Sequence, residues 1–324
     1  MTVDSTAMLI NGLQTEFTKT YRDVLNRQSD SRLALVMDLE SSQATNRQHD
    51  FGYRDSAPFM DQWVRGQAIP TEGMASTSYN VVAHNWGKRL EWHQDDREDD
   101  QAQSLMADAA ATGRSVGLLA EEFFFDMVLD TTATLPANIN APDGGNFFIS
   151  TARFGSANGN IVGSFAVTSV AAVLDGYYAG LVRLTDFQDT QGKPLWNPSV
   201  IDGGVVLIHS NKDEKVFEEA FKQKVQGAPA TIAAGVSNVV QDASRNVTLW
   251  STQRVSTGTA FMFLKNVPVK ACFLMNRRGV RELSSLADMN NSDRVRTTGM
   301  EYVQWDLRQG AGINVPYGAV QLSA

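Results

Sequence analysis

The chain has 324 residues, 43% hydrophobic and 20% charged, with a formal net charge of −8. This is a globular composition, long enough for one large domain or two modest ones, and it excludes a disordered chain. The acidic balance argues against a dedicated nucleic-acid-binding module, because phosphates repel it.

Residues Ala7 to Arg27 predict a helix: Leu9, Leu13, Phe17, Tyr21 and Val24 recur every three or four positions and form one apolar stripe. The start, MTVDSTAMLINGLQTEF, lacks a basic leader and a long apolar core, so no signal peptide is expected. LALVMDLESS, from Leu33, reads as extended. From Gln48 to about Trp92 the chain mixes Gly and Pro with scattered aromatics: Phe51, Tyr53, Phe59, Trp63, Tyr79, Trp86 and Trp92. Within it TSYNVVAHNWGKRLEWH is β-like, and the whole segment suits a long hairpin whose aromatics reach for a surface outside its own core.

Arg97 to Asp130 is the clearest element. Leu105, Ala109, Val116, Leu119 and Phe123 keep helical spacing through Gly113 and Gly117, which predicts a rod of ~45 Å. The loop TLPANINAPDGGN ends it. Ile161 to Val182 is apolar enough to need a membrane check. Asp175, with three glycines and two serines, dilutes it below a spanning segment, so a buried helix over Thr168 to Phe187 is expected. QDTQGKPLWNP is a loop and GGVVLIHS a short buried strand; Ser210 or Asn211 caps the helix NKDEKVFEEAFKQKV. NVTLWSTQRV, TAFMFLKNV and KACFLMN are β-like runs, and the closing RVRTTGMEYVQWDLRQGAGINVPYGAVQL alternates like strands. The single cysteine, Cys272, lies in KACFLMN, where a buried inert thiol is expected, and no internal disulfide can form. The fold class is α+β, with a long insertion between a central helix and terminal strands.

One cluster invites a chemical reading: EWHQDDREDDQ, Glu91 to Gln101. Carboxylates beside a histidine can hold a metal for hydrolysis. Glu91 and His93 share one face of a strand, Asp95 and Asp96 lie at the strand–helix junction, and Glu98, Asp99 and Asp100 fall in a first helical turn. Consecutive helical positions point apart, so these groups do not converge on one ion, whereas anions at a helix start are stabilised by its dipole and can cap it. His49, His84 and His209 are isolated, and no HExxH, GxSxG or Walker motif occurs. GAGINV, from Gly310, begins like a dinucleotide loop but lacks the third glycine and the following helix. Trp63 and its neighbours lack the basic clusters that accompany base stacking.

Several stretches, in order along most of the chain, together resemble the Mu-like major head subunit family of tailed-phage coat proteins. They are AMLINGLQTEFTKTY, FGYRDSAPFMDQWVRGQ, the acidic LEWHQDDREDDQ leading into a long helix, QDTQGKPLWNP before GGVVLIHS, and MEYVQWDLRQGAGINVPYGAVQL. HSNKDE departs from the family by replacing a proline-rich step. The resemblance implies the Hong Kong 97-type phage capsid fold. Residues 1–45 would be an N-terminal arm, 46–93 an extended loop, 94–159 a peripheral domain with the spine helix, 160–285 an inserted axial domain, and 286–324 strands returning to the peripheral domain.

It further implies a non-enzymatic major capsid protein, without cofactor or metal, that assembles with itself into hexamers and pentamers of an icosahedral shell. Portal, scaffold or decoration proteins and non-specifically held double-stranded DNA would be its other partners, with no membrane, and assembly would take place in the bacterial host cytoplasm. Phe59, Trp63, Val64 and Arg65 become the candidate intersubunit anchors. Asp95, Asp96, Asp99 and Asp100 become the cap and hinge between extended loop and spine. Two alternatives stay open at this point: a metal-dependent hydrolase using the Glu91–Asp100 carboxylates, and another virion component such as a shell-decorating or tail protein.

Overall fold

The computed structural model describes residues 2–29, 32–39, 48–53, 77–98, 102–129, 141–153, 156–189, 192–196, 198–222, 225–226, 236–237, 246–282 and 297–323. The chain opens with helix α1, Thr2–Ser29, then a single helical turn α2, Leu33–Val36, and the two-residue strand β1, Met37–Asp38. LALV is therefore helical and not extended, because Leu33 and Val36 sit three apart and both bury on one side of a turn. Strands β2, Gln48–Tyr53, and β3, Thr77–Val82, pair antiparallel from Gln48↔Val82 to Tyr53↔Thr77. The expected hairpin thus has a paired root, and residues 54–76 between its strands lie outside the described residues.

After Ala83 comes β4, His84–His93, then the short helix α3, Gln94–Glu98, and helix α4, Ala102–Gly117. The single rod of the sequence reading is broken. Leu118 leaves helical ψ (φ −82°, ψ −3°), α5 covers Leu119–Glu122, and Phe123–Val128 forms a π-helical turn. The wider turn buries Phe123, Phe124 and Phe125 in succession and brings Asp126 inside with them. Strand β5 is Ile161–Val162 and helix α6 Val170–Thr185, with Ser169 Oγ accepting from the Ala172 N–H at 3.2 Å as its cap. Helix α7, Pro198–Asp202, leads to β6, Val205–Ser210. Ser210 caps a 3₁₀ turn that runs into α8, Glu214–Phe221. The remaining strands are β7, Val225–Gln226; β8, Val236–Ser237; β9, Val247–Thr252; β10, Ala260–Leu264; β11, Cys272–Glu282; β12, Met300–Ile313; and β13, Ala319–Leu322.

Two sheets organise these elements. One has the order β1-β11-β12-β4 and the other β5-β13-β10-β6-β9, while β2-β3 and β7-β8 stand as separate pairs. In the first sheet β12 alternates from Met300 to Gln309 and is buried throughout from there to Ile313. Val303, Trp305 and Leu307 bury beneath the α1–α4 helix pair or the core, and Tyr302, Gln304, Asp306 and Arg308 take the outer side. Phe17 of α1 stacks on Trp305 at 4.3 Å and 7°. Strand β6 is buried at all six positions, because both faces of the second sheet are covered. Val206 and Ile208 join the core that holds the three phenylalanines of the π-helical turn, and Val205 and Leu207 pack with α6 and α8. The apolar 161–182 stretch is thus partly strand and mostly a core-facing helix. Among the described residues no helix is long and apolar enough to cross a membrane.

The helix pair explains two glycines that oppose helix propensity. A Cβ on Gly113 would lie 2.6 Å from the Phe17 carbonyl oxygen, and one on Gly117 2.7 Å from Val24 Cβ. Close approach of α1 to α4 requires both positions to lack a side chain.

Candidate functional site

The hairpin root meets the body at the far end of β12. Tyr79, Val81 and Ala83 alternate inward from β3 and join a small buried cluster with Phe273 and Met275. The Ile313 N–H donates to Tyr79 Oη at 3.0 Å. Burial pushes the Tyr79 phenol up to about 12, so it stays neutral and polar at any physiological pH. On β12, a Cβ at Gly310 would stand 2.6 Å from the Val82 carbonyl oxygen, and one at Gly312 2.4 Å from Phe273 Cζ and 3.0 Å from Val81 Cγ2. GAGINV is therefore a crossing point between two pieces of backbone. Alternation in TSYNVVA was the one sequence signal for the inward residues, and nothing local announced their partner.

At the other end of β4 lies the acidic turn. Trp92 points inward, its Nε1–H donating to the buried Glu301 carboxylate at 2.8 Å. Glu91 lies on the outer face with its carboxylate 3.4 Å from Arg89 Nη1. Arg89 also donates to Gln304 Oε1 at 2.8 and 3.0 Å and lies over the Tyr302 ring, 4.5 Å from its centroid.

Asp95 and Asp96 occupy the first turn of α3, and His93 stands in the capping position. The Asp95 N–H donates to His93 Nδ1 at 3.3 Å, and Asp96 Oδ2 accepts from the His93 N–H at 3.3 Å. The Asp96 bond is the N3-to-N-cap half of a capping box, and the His93 ring caps the amide of the second helical residue in place of the third. His93 Nδ1 also lies 3.2 Å from Asp95 Oδ2. Gly299 closes the turn from the opposite side. Its carbonyl accepts from the Gln94 N–H at 3.0 Å, it has φ +65°, and a Cβ there would meet His93 Nε2 at 2.7 Å.

Asp95 is 80% exposed and Asp96 is exposed too, while Asp99 and Asp100 lie outside the described residues. Among the described residues no group of His, Cys, Asp and Glu is placed to share a metal ion, and nothing supports the hydrolase alternative. Phe59, Trp63, Val64 and Arg65 also lie outside the described residues, within the segment that joins β2 to β3.

Away from the hairpin, buried polar groups tie loops to sheets. Asn160 accepts from the Ile149 N–H at 2.9 Å and donates to the carbonyls of Phe147, Pro316 and Ala319, which clasps the 141–160 loop to the C-terminal strand. Arg254 pairs with Glu122, lies 3.8 Å from the buried Asp126 and 5.6 Å from the centroid of Phe125, and so fixes the end of the spine to the loop after β9. The Glu122 hydrogen bond raises the Arg254 pKa, whereas burial raises that of Glu121. Cys272 is fully buried, its Sγ–H directed at the Val36 carbonyl at 3.4 Å, and burial pushes its pKa up.

Solved structures with this architecture are capsid proteins. The mature capsid subunit of bacteriophage PhiM1 superposes with a TM-score of 0.54 at 10% identity, over 90% of this chain and 86% of that one. The capsid protein of Myoviridae Phage XM1 gives 0.52 at 8% identity over 90% of each chain. The virus-like particle from Pyrococcus furiosus gives 0.50 at 10% identity over 95% of this chain and 98% of that one. No curated protein matches the chain in sequence. Residues 9–169 match the model of the family described as Mu-like prophage major head subunit gpT. At these identities the structures establish the Hong Kong 97-type phage capsid fold, and the sequence match covers just under half of the chain: together they mark the chain as a major capsid protein similar to the Mu-like prophage major head subunits.

Proposed function

We propose that copies of this subunit form hexamers and pentamers that close into an icosahedral shell around packaged double-stranded DNA. The observation that carries the reading is a hairpin rooted as its own two-stranded sheet, outside both sheets of the body, in a chain with the capsid fold. Such an element has apolar residues to bury and needs a surface to bury them on. Heterologous contacts of that kind close into rings when the rotation between copies permits.

In this reading the arm ends near 45 and the peripheral segment near 159; because β4 and β11 both pair with β12 in the body sheet, the extended loop proper ends at about Ala83 and the axial domain at about residue 271. The hydrogen bonds of β11 with β12, and of β13 with β10, support an inserted axial domain that hands the chain back at β11 and takes it up again at β13. Phe59, Trp63, Val64 and Arg65 are proposed as the anchors that bury on the neighbouring copy. Asp95 and Asp96, with Asp99 and Asp100, form a charged hinge between extended loop and spine. Portal, scaffold and decoration proteins are the proposed further partners, the role is structural and not enzymatic, and the shell forms in the bacterial host cytoplasm. The net charge of −8 suits a container that holds DNA without gripping it.

The test is electron microscopy of the purified full chain under assembly conditions. Shells or capsomers are expected, with Trp63→Ala lowering shell yield at least tenfold while the unassembled subunit melts at its usual temperature. Neutralising Asp95, Asp96, Asp99 and Asp100 together is expected to change shell stability or expansion. Unchanged behaviour in both respects removes the hinge from the account.

A further inference from the structure

On its β3 side the hairpin joins the body through one residue. Strand β3 ends at Val82 and β4 begins at His84, so the chain changes sheets at Ala83. His84 is the last residue of β4 paired with β12, opposite Gln309. Beyond that pair β12 continues alone against β11 to Ile313↔Cys272, and its Gly310 and Gly312 run beneath Val82 and Val81. The Gly310 contact is with backbone, at 2.6 Å, so a side chain there must lift the strand. The Gly312 contact is mainly with the Phe273 ring, at 2.4 Å, a side chain of β11 and not the backbone of the hairpin. Tyr79 ties the root down through the bond from the Ile313 N–H at 3.0 Å.

We infer that this crossing sets the direction in which the hairpin leaves the body, and that Tyr79, Gly310 and Gly312 are positioning residues for the neighbour that it reaches. The inference rests on the self-assembly reading. Its physical basis is a lever. Six strand residues extend about 20 Å, so a turn of about 10° at the root moves the strand end by ~3.5 Å. Packed contacts forfeit roughly a quarter to a half of their attraction within about 1 Å of separation, so an error of ~3.5 Å defeats a shape-matched interface without disturbing the body's own core.

The test uses the full chain and its variants Gly310→Ala, Gly312→Ala, Tyr79→Phe, Gly312→Ala with Phe273→Leu, and, as control, Gly279→Ala in β11, where a Cβ meets open space. Spin labels on Tyr53→Cys and Lys88→Cys report the hairpin's direction in the unassembled protein, the native Cys272 being buried. Gly310→Ala is expected to shift the label distance by 3 Å or more, with the melting temperature within about 5 °C of the parent. In electron micrographs it is expected to give open sheets, tubes or shells of altered diameter, normal shells falling at least tenfold. Gly312→Ala and Tyr79→Phe should shift the distance less, Phe273→Leu should restore the Gly312→Ala variant, and Gly279→Ala should change nothing.

An unshifted distance in Gly310→Ala overturns the inference whether or not shells form. So does a shifted distance accompanied by shells of normal yield and diameter, or a loss of yield that only follows lost stability. If the parent itself forms no shells, the assembly reading fails, while the distance still decides the geometry of the seat.

Discussion

His209 is a buried histidine whose ring lies flat against Phe217, 4.2 Å away at 3°, with Nδ1–H directed to the Ser210 carbonyl at 2.9 Å. Its Nε2 is buried and has no hydrogen-bond partner among the described residues. Burial lowers its pKa most. The Ser210 carbonyl, Glu214 and Asp213 oppose that shift, and Arg32 adds to it. The folded state therefore favours the neutral ring. Stability from this site is complete above the unfolded value of about 6.5 and falls as the pH drops, because the unfolded chain binds the proton first. The loss is up to about 1.4 kcal/mol per pH unit until the folded ring also titrates. Urea unfolding of the unassembled protein should show this slope between pH 6.5 and 5, and His209→Phe should flatten it while keeping the ring stack. Parallel losses in parent and variant would assign the acid sensitivity elsewhere.

At the scale of elements, close approach decides what propensity alone does not. Gly113→Ala gains about 1 kcal/mol of helix propensity. It also presses a methyl group within 2.6 Å of the Phe17 carbonyl oxygen, an overpacking cost of about 1–3 kcal/mol. A net loss of about 1 kcal/mol is expected, read as a lower urea midpoint, whereas Gly279→Ala should leave the midpoint unchanged. A stabilised Gly113→Ala would mean that α1 docks more loosely on α4. Deleting about residues 52 to 78 should leave a folded body that does not assemble, since Tyr79, Val81 and Ala83 remain to fill their cluster. An unfolded product would make the hairpin part of the core.

Much of this architecture can be read along the chain. The stripe Leu9, Leu13, Phe17 buries as its spacing implies, and VVLIHS is a strand because six buried residues in a row suit a sheet covered on both faces. FFFDMV carries helical spacing that does not distinguish an α turn from a π turn, since only the contacts of Asp126 and the three rings select it. The hairpin's seat was illegible for another reason: Tyr79 and Ile313 are separated by 234 residues. Likewise His93 becomes a cap only because Gly299 arrives from a distant segment to close the turn.

Over the whole molecule, the two sheets share one core through the π-helical turn, while the hairpin strands pair outside both sheets and seat on the body through the Tyr79 cluster. An acidic subunit with a hairpin paired outside both sheets is suited to associate through shape and buried apolar surface, and its own charge opposes close approach of copies. Assembly should therefore become easier as salt rises from about 0.05 to 0.5 M, where screening weakens that repulsion. The most direct measurement is electron microscopy of the purified protein across that range. The account expects closed icosahedral shells or their capsomers; a strictly monomeric protein under every assembly condition would contradict it.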